Sequence, residues 1–248
     1  MRPSDFSLEK KADDFRQYWG YGTDKPINLQ SLLLELNVMA AFKVMDKVSG
    51  MAYKAQSGAR FMLINSGQTL GRQNFTICHE LYHLFVQKEF NHKICSLPAF
   101  SYDKKDPEEY SADVFAAFLL LPTKGIRDLI PENEFDKDCI SLDTIIKIEQ
   151  SFQCSRTALL HRLKKNMKCI SDVKYDEFSR NIRYSAYQRG FPTNLYEPSK
   201  TEGVWGNYGE LAFGLFESGK ISEGDFSSLM LDIGVDIFQE PSSLYPDI

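Results

Sequence analysis

The spacing of apolar positions changes several times along the chain, and each change predicts a different element. Between Leu8 and Tyr18, Ala12, Phe15 and Tyr18 fall near one stripe with charges between them, which predicts a helix. Pro26 opens a second helical stretch, Ile27–Leu36, with Leu29, Leu32, Leu33 and Leu36 on its buried side. Ala40–Met45 is expected as a strand. Met51–Lys54 and Ala59–Asn65 are expected as a hairpin turning at Gln56-Ser57-Gly58. Phe75–Phe85 and Glu108–Leu121 carry helical spacing, the latter stopped by Pro122, while Asn91–Pro107 has no period and reads as a loop. Ser141–Phe152 and Ser155–Lys165 predict two helices joined by a short turn. Gly190–Gly206, rich in Gly, Pro, Asn and Ser, predicts a linker or long loop. Asn207–Ser218 and Ser222–Ile233 predict a final helical pair, with Ser222 and Asp225 at capping-box spacing.

Composition narrows the classes of function. A net charge of −5 disfavours general nucleic-acid binding, which wants a basic face. No apolar run approaches the ~20 residues that cross a bilayer, so no membrane role is expected. The N-terminus, MRPSDFSLEKKADDF, lacks the apolar region of a signal peptide, so the expected location is cytoplasmic. The five cysteines, Cys78, Cys95, Cys139, Cys154 and Cys169, form no CxxC pair and are expected as buried or idle thiols.

The chemistry concentrates in FTICHELYHLF, Phe75–Phe85. At about 100° per residue, Ile77, Leu81 and Leu84 cluster on one side and His79 and His83 on the other. Glu80 is rotated by about 100° from His79, too far to join the ligand set easily but near enough to reach a water on the ion. This H-E-x-x-H spacing suits Zn2+, with two imidazole ligands and a glutamate as general base. An ordinary amphipathic helix that happens to carry two histidines is the bland alternative.

Two histidines leave zinc short of a protein ligand. The best candidate lies in EYSADVFAAFLLLP, where Glu109 and Asp113 share one stripe with Ala116 and Leu120. Such a pair is ordinarily a solvated face. Here it begins an otherwise apolar helix 26 residues after His83, and Ala116 beside it would let another helix approach. Glu109 is thus expected as the third ligand, and Asp113 as the group that holds an imidazole N–H and fixes its tautomer.

RQNFTICHELYH followed by EYSADVFAAFLLLP resembles the ImmA/IrrE family of metallopeptidases. Members typically show R-q-x-F-T-x-x-H-E-x-x-H, then E-x-E-A-N-x-F-A-A-x-L-L-M-P. Ser111 stands where the family has its second glutamate, Asp113 where it has asparagine, and Leu121 where it has methionine. The Asp113 change keeps a similar shape and adds charge. The resemblance covers roughly residues 8 to 165, and YGELAFGLFESGKIS from Tyr208 is similar to an extension on some members. It implies a cytoplasmic regulatory peptidase that cleaves or otherwise inactivates a helix-turn-helix repressor, often encoded on mobile elements or in stress-response loci.

Other features carry weaker expectations. Cys154-Ser155-Arg156 between two helices, with Arg162, Lys164, Lys165 and Lys168, is compatible with a DNA-binding turn but reads better as a helical pair with a solvated basic face. Tyr82, Tyr102, His92 and His161 are candidates to stabilise an oxyanion, and the sequence does not choose among them.

These readings combine into an α+β, zincin-like metallopeptidase domain with a small antiparallel sheet over residues 1–170. A linker or long loop over 171–206 and a C-terminal helical hairpin extension over 207–248 follow. His79, His83 and Glu109 are expected to bind zinc and Glu80 to act as base on a protein substrate, the implied DNA-binding repressor. A non-catalytic regulator that binds a repressor or toxin partner through the same fold is the alternative.

Overall fold

A computed structural model of the chain describes residues 3–88, 106–200 and 202–238, and the backbone of 92–96. The N-terminal helix α1 (Asp5–Tyr18) starts where the Ser4 side chain accepts from Ser7 N, and it buries Leu8, Ala12 and Arg16. The buried Arg16 guanidinium donates to the carbonyls of Gly22, Lys25 and Leu119, so this charge ties three chain segments together. Helix α2 (Leu29–Glu35) buries Leu29, Leu32 and Leu33, as its leucine spacing predicts.

Five strands form one sheet in the order β4-β2-β3-β1-β5. They are β1 (Val38–Lys43), β2 (Val48–Lys54), β3 (Arg60–Asn65), β4 (His92–Ser96) and β5 (Gly203–Trp205). The predicted hairpin is present: β2 and β3 pair antiparallel, with Met51 opposite Leu63, and Gly58 takes a positive φ at the turn. The α+β class and the small sheet are as expected, with one refinement. β1 runs parallel to β3, Ala40 beside Met62, so the sheet is mixed. One sheet face, including Ala40, Ala52, Met62 and Ile64, is buried under the helices.

Helix α3 (Leu70–Phe85) lies on that face and is buried on both sides, between the sheet and α4 (Pro107–Leu120). Its start is held from far along the chain. Leu70 N donates to the carbonyl of Glu197, and Gln73 Nε2 to Ser199 Oγ at 3.0 Å. Helix α4 begins at Pro107 because Asp106 accepts from the amides of Glu108 and Glu109, which sets Glu109 on its first turn.

Beyond α4 come α5 (Thr123–Leu129), α6 (Leu142–Phe152) and α7 (Arg156–His161), the last continued by a turn of π-helix over Arg162–Asn166. The stretch 171–206, expected as linker or long loop, holds α8 (Asp172–Phe178), α9 (Ile182–Gln188) and β5, which pairs antiparallel with β1. The final pair is α10 (Tyr208–Glu217) and α11 (Glu223–Asp232), and the predicted Ser222–Asp225 capping box is made in both directions. No helix among the described residues is long and apolar enough to cross a membrane.

Of the basic residues around α6–α7, Lys164, Lys165 and Lys168 are exposed, but the two arginines are not. Arg156 and Arg162 are 1% and 0% exposed. Arg156 pairs with Glu149 and donates to the carbonyl of Phe178, while Arg162 donates to the carbonyl of Leu121 and to Thr123 Oγ1. Both guanidinium groups are held in the core, where a phosphate backbone does not reach. The thiols follow expectation in part. Cys78 and Cys154 are buried, and burial pushes the Cys78 thiol up to about 12. Cys139 is exposed, and the Cys95 side chain lies outside the described residues.

Candidate metal centre

Helical spacing puts His79 and His83 one turn apart on the side of α3 that meets α4, and the Asp106 cap sets Glu109 opposite them. His79 Nε2 lies 3.2 Å from His83 Nε2. Glu109 Oε2 is 3.3 Å from His79 Nε2, and its Oε1 is 3.3 Å from His83 Nε2. The three side chains form a cluster able to hold a metal ion.

The other imidazole nitrogens fix the tautomers. His79 Nδ1 is 2.9 Å from Asp113 Oδ1, and with the carboxylate oxygen as acceptor this nitrogen is the donor of the pair. His83 Nδ1 is 2.6 Å from Gln87 Oε1 and donates to it in the same way. Both Nε2 lone pairs are thereby left to face Glu109. With metal–nitrogen and metal–oxygen bonds of about 2.0–2.2 Å, the donors of a tetrahedral zinc site stand about 3.3 Å apart. The separations here match that edge, so the donor set fits zinc in chemistry and in size.

His79, His83, Glu109 and Asp113 are therefore brought together as the sequence suggests. Glu80 follows His79 and is fully buried between α3 and β2. An added Cβ at Gly50 would lie 2.9 Å from Glu80 Oε1 and 2.5 Å from Thr76 Cγ2. Gly50 is thus what lets α3 and its glutamate approach the sheet this closely. Neither Gly50 nor Gln87 is singled out by the sequence. Gln87 stands four residues after His83, a helical spacing, but beyond the end of α3. Gly50 has no local signal, because its neighbour is set by tertiary packing.

The oxyanion candidates separate. Tyr82 is buried and donates to Glu108 Oε2 at 2.9 Å, which favours a packing role. Tyr102 and the His92 side chain lie outside the described residues. His161, at the end of α7, is held down to about 4 by burial and by Lys165, Lys164 and Arg162, while Asp113 opposes the shift. It is therefore a neutral imidazole at pH 7, within the electrostatic reach of Asp113.

A search of curated proteins gives no match. Among solved structures, a Mycobacterium tuberculosis transcriptional regulator is similar at 15% identity with a TM-score of 0.43, over 64% of this chain and 46% of that one. The chain spans less than half the length of that protein, and the likeness is too distant to bear on fold or activity. The family model described as an IrrE N-terminal-like domain, Peptidase_M78, matches residues 35–164. That span is more than half of the chain and contains the sheet strands β1 to β4, the HELYH helix and Glu109. With its α+β, zincin-like domain and both motifs inside the matched span, the chain belongs to the Peptidase_M78, or ImmA/IrrE, family of metallopeptidases.

Proposed function

We propose that the chain is a zinc-dependent endopeptidase acting on a cytoplasmic regulatory protein, a helix-turn-helix repressor by family resemblance. The observation that carries the reading is the convergence of His79 Nε2, His83 Nε2 and Glu109 within 3.3 Å, with each Nδ1 already anchored. His79, His83 and Glu109 would hold the ion. When bound, zinc supplies Lewis-acid polarisation of the peptide carbonyl and lowers the pKa of water. Glu80 is the base that takes the proton of the attacking water and returns it to the leaving amine. Asp113 and Gln87 keep the imidazoles in the ligating tautomer throughout.

The test is Glu80→Gln, with zinc per chain and cleavage of the candidate repressor measured together. The expected result is unchanged zinc and a loss of cleavage of about 100-fold or more. Cleavage at the wild-type rate would refute the assignment. A second reading, a non-catalytic regulator that binds a repressor or toxin through this fold, draws on the full burial of Glu80 and His83. Under it, Glu80→Gln leaves the biological effect intact.

A further inference from the structure

The net charge of the chain is unevenly distributed. Between Glu202 and Phe238 there are seven acidic residues and a single basic one, Lys220, against a net charge of −5 for the whole. After β5, this segment folds as the hairpin α10–α11, whose helices pack chiefly on each other. Within it only Ala212, Phe226 and Ser227 are buried. Leu211, Phe213 and Leu215 are 48%, 48% and 39% exposed on a ten-residue helix. An isolated exposed leucine means little, but Leu211 and Leu215 one turn apart make an apolar stripe that calls for a cover, while the Phe213 ring lies 5.9 Å from that of Phe226 on α11.

The face has a definite layout. At about 100° per residue, Tyr208, Leu211 and Leu215 fall on one stripe, Phe213 lies on the far side, and Glu210 and Glu217 stand between them. Tyr208 also lines an open groove of about 260 Å³ on the outer sheet face, beside Met39, Phe61, Leu63 and Val204. The helix stripe is therefore continuous with an apolar groove.

The charge selects the occupant. A second copy of the hairpin would bring the same negative field. Nucleic acid and an anionic membrane surface would be repelled for the same reason. A helix with an apolar stripe bordered by Lys or Arg satisfies both demands, its apolar side chains covering Leu211 and Leu215 and its cations meeting Glu210 and Glu217.

We propose that the outer face of α10, with the adjoining sheet groove, is a docking surface for a basic amphipathic helix of a partner protein. The surface stands independently of the catalytic reading. The test uses the full chain and an 18-residue Leu/Lys amphipathic peptide, with binding followed by fluorescence anisotropy. Controls are a Leu/Glu analogue and a scrambled Leu/Lys peptide without an apolar face. The expected result is binding of the Leu/Lys peptide alone, weakened at least about tenfold by Leu211→Ser with Leu215→Ser and by Glu210→Lys with Glu217→Lys, and weakened by added salt. The charge reversals sit at exposed positions and keep the test valid where the leucine variants unfold. Equal binding of either control peptide, or wild-type affinity in the charge-reversed variant, would overturn the proposal. So would a dimer in sedimentation that the leucine variants dissociate, since the occupant would then be a second copy.

Discussion

Replacing Asp113 tests whether the candidate metal centre depends on a carboxylate outside the His79, His83 and Glu109 cluster. Asp113 is 4% exposed and lies 2.9 Å from His79 Nδ1. A buried hydrogen bond to a charged group is worth about 1.5–3 kcal/mol. Asp113→Ala deletes it, leaves the Nδ1–H unsatisfied and frees the imidazole to take the wrong tautomer. Partners of this kind typically contribute about 10–100-fold in metal affinity, or about 1.4–2.8 kcal/mol at 1.4 kcal/mol per factor of ten. Asp113→Asn keeps an acceptor of the same shape and removes only the charge, so its loss is expected below about tenfold. Zinc affinity would be measured by competition with a chromophoric chelator for the wild type, both variants and Gln87→Ala. The predicted order is wild type, then Asn, then Ala. An Asp113→Ala affinity within about twofold of wild type would show that packing alone holds His79, and the role given to Asp113 would fall.

Three further outcomes follow from the packing. Gly50→Ala inserts a Cβ 2.5 Å from Thr76 Cγ2 and 2.9 Å from Glu80 Oε1, so a loss of about 1–3 kcal/mol in urea unfolding is expected, with cleavage falling more than zinc affinity; unchanged stability would mean that α3 is free to retreat from the sheet. Arg156→Ala leaves the buried Glu149 carboxylate without its cation, with the Tyr196 hydroxyl still donating to it, and a loss of about 3–5 kcal/mol is expected; under about 1 kcal/mol would mean that Glu149 is solvated or protonated once its cation is gone. His161 is lowered from 6.5 to about 4, so the folded state binds fewer protons than the unfolded one between those values. Its contribution is present above pH 6.5 and is lost as pH falls toward 4. His161→Gln should therefore lose less stability than wild type between pH 7 and 4.5, and parallel curves would refute this.

The cluster able to hold a metal ion was legible in the sequence because such chemistry demands fixed residue types at a fixed helical spacing, and His79, His83 and Glu109 meet that demand. Helix patterning also survived where runs were long enough to show a period, as in α3, α4 and α6. Helices α5, α8 and α9 have seven residues each and lack the leucine spacing that marked the equally short α2, and β5 has three residues. The parallel pairing of β1 with β3 was hidden for a different reason. Alternation tells which face of a strand is buried and is silent on which strand lies beside it. Arg156 and Arg162 looked like part of a solvated face because arginines are rarely fully buried without a partner. Their partners, Glu149 on the preceding helix and the Leu121 carbonyl, are supplied by the fold.

The attachment of the Glu197–Trp205 stretch to α3 and β1 bears on what counts as a module here. The family match ends at residue 164, yet the first turn of the HELYH helix rests on the Glu197 carbonyl and on Ser199, and the free side of β1 is closed by β5. A fragment cut at the family boundary would lose that brace and present an open strand edge, an invitation to aggregate. The unit of homology and the unit of folding therefore do not coincide. Grafting this candidate metal centre into another protein would require carrying along some forty residues beyond the family boundary.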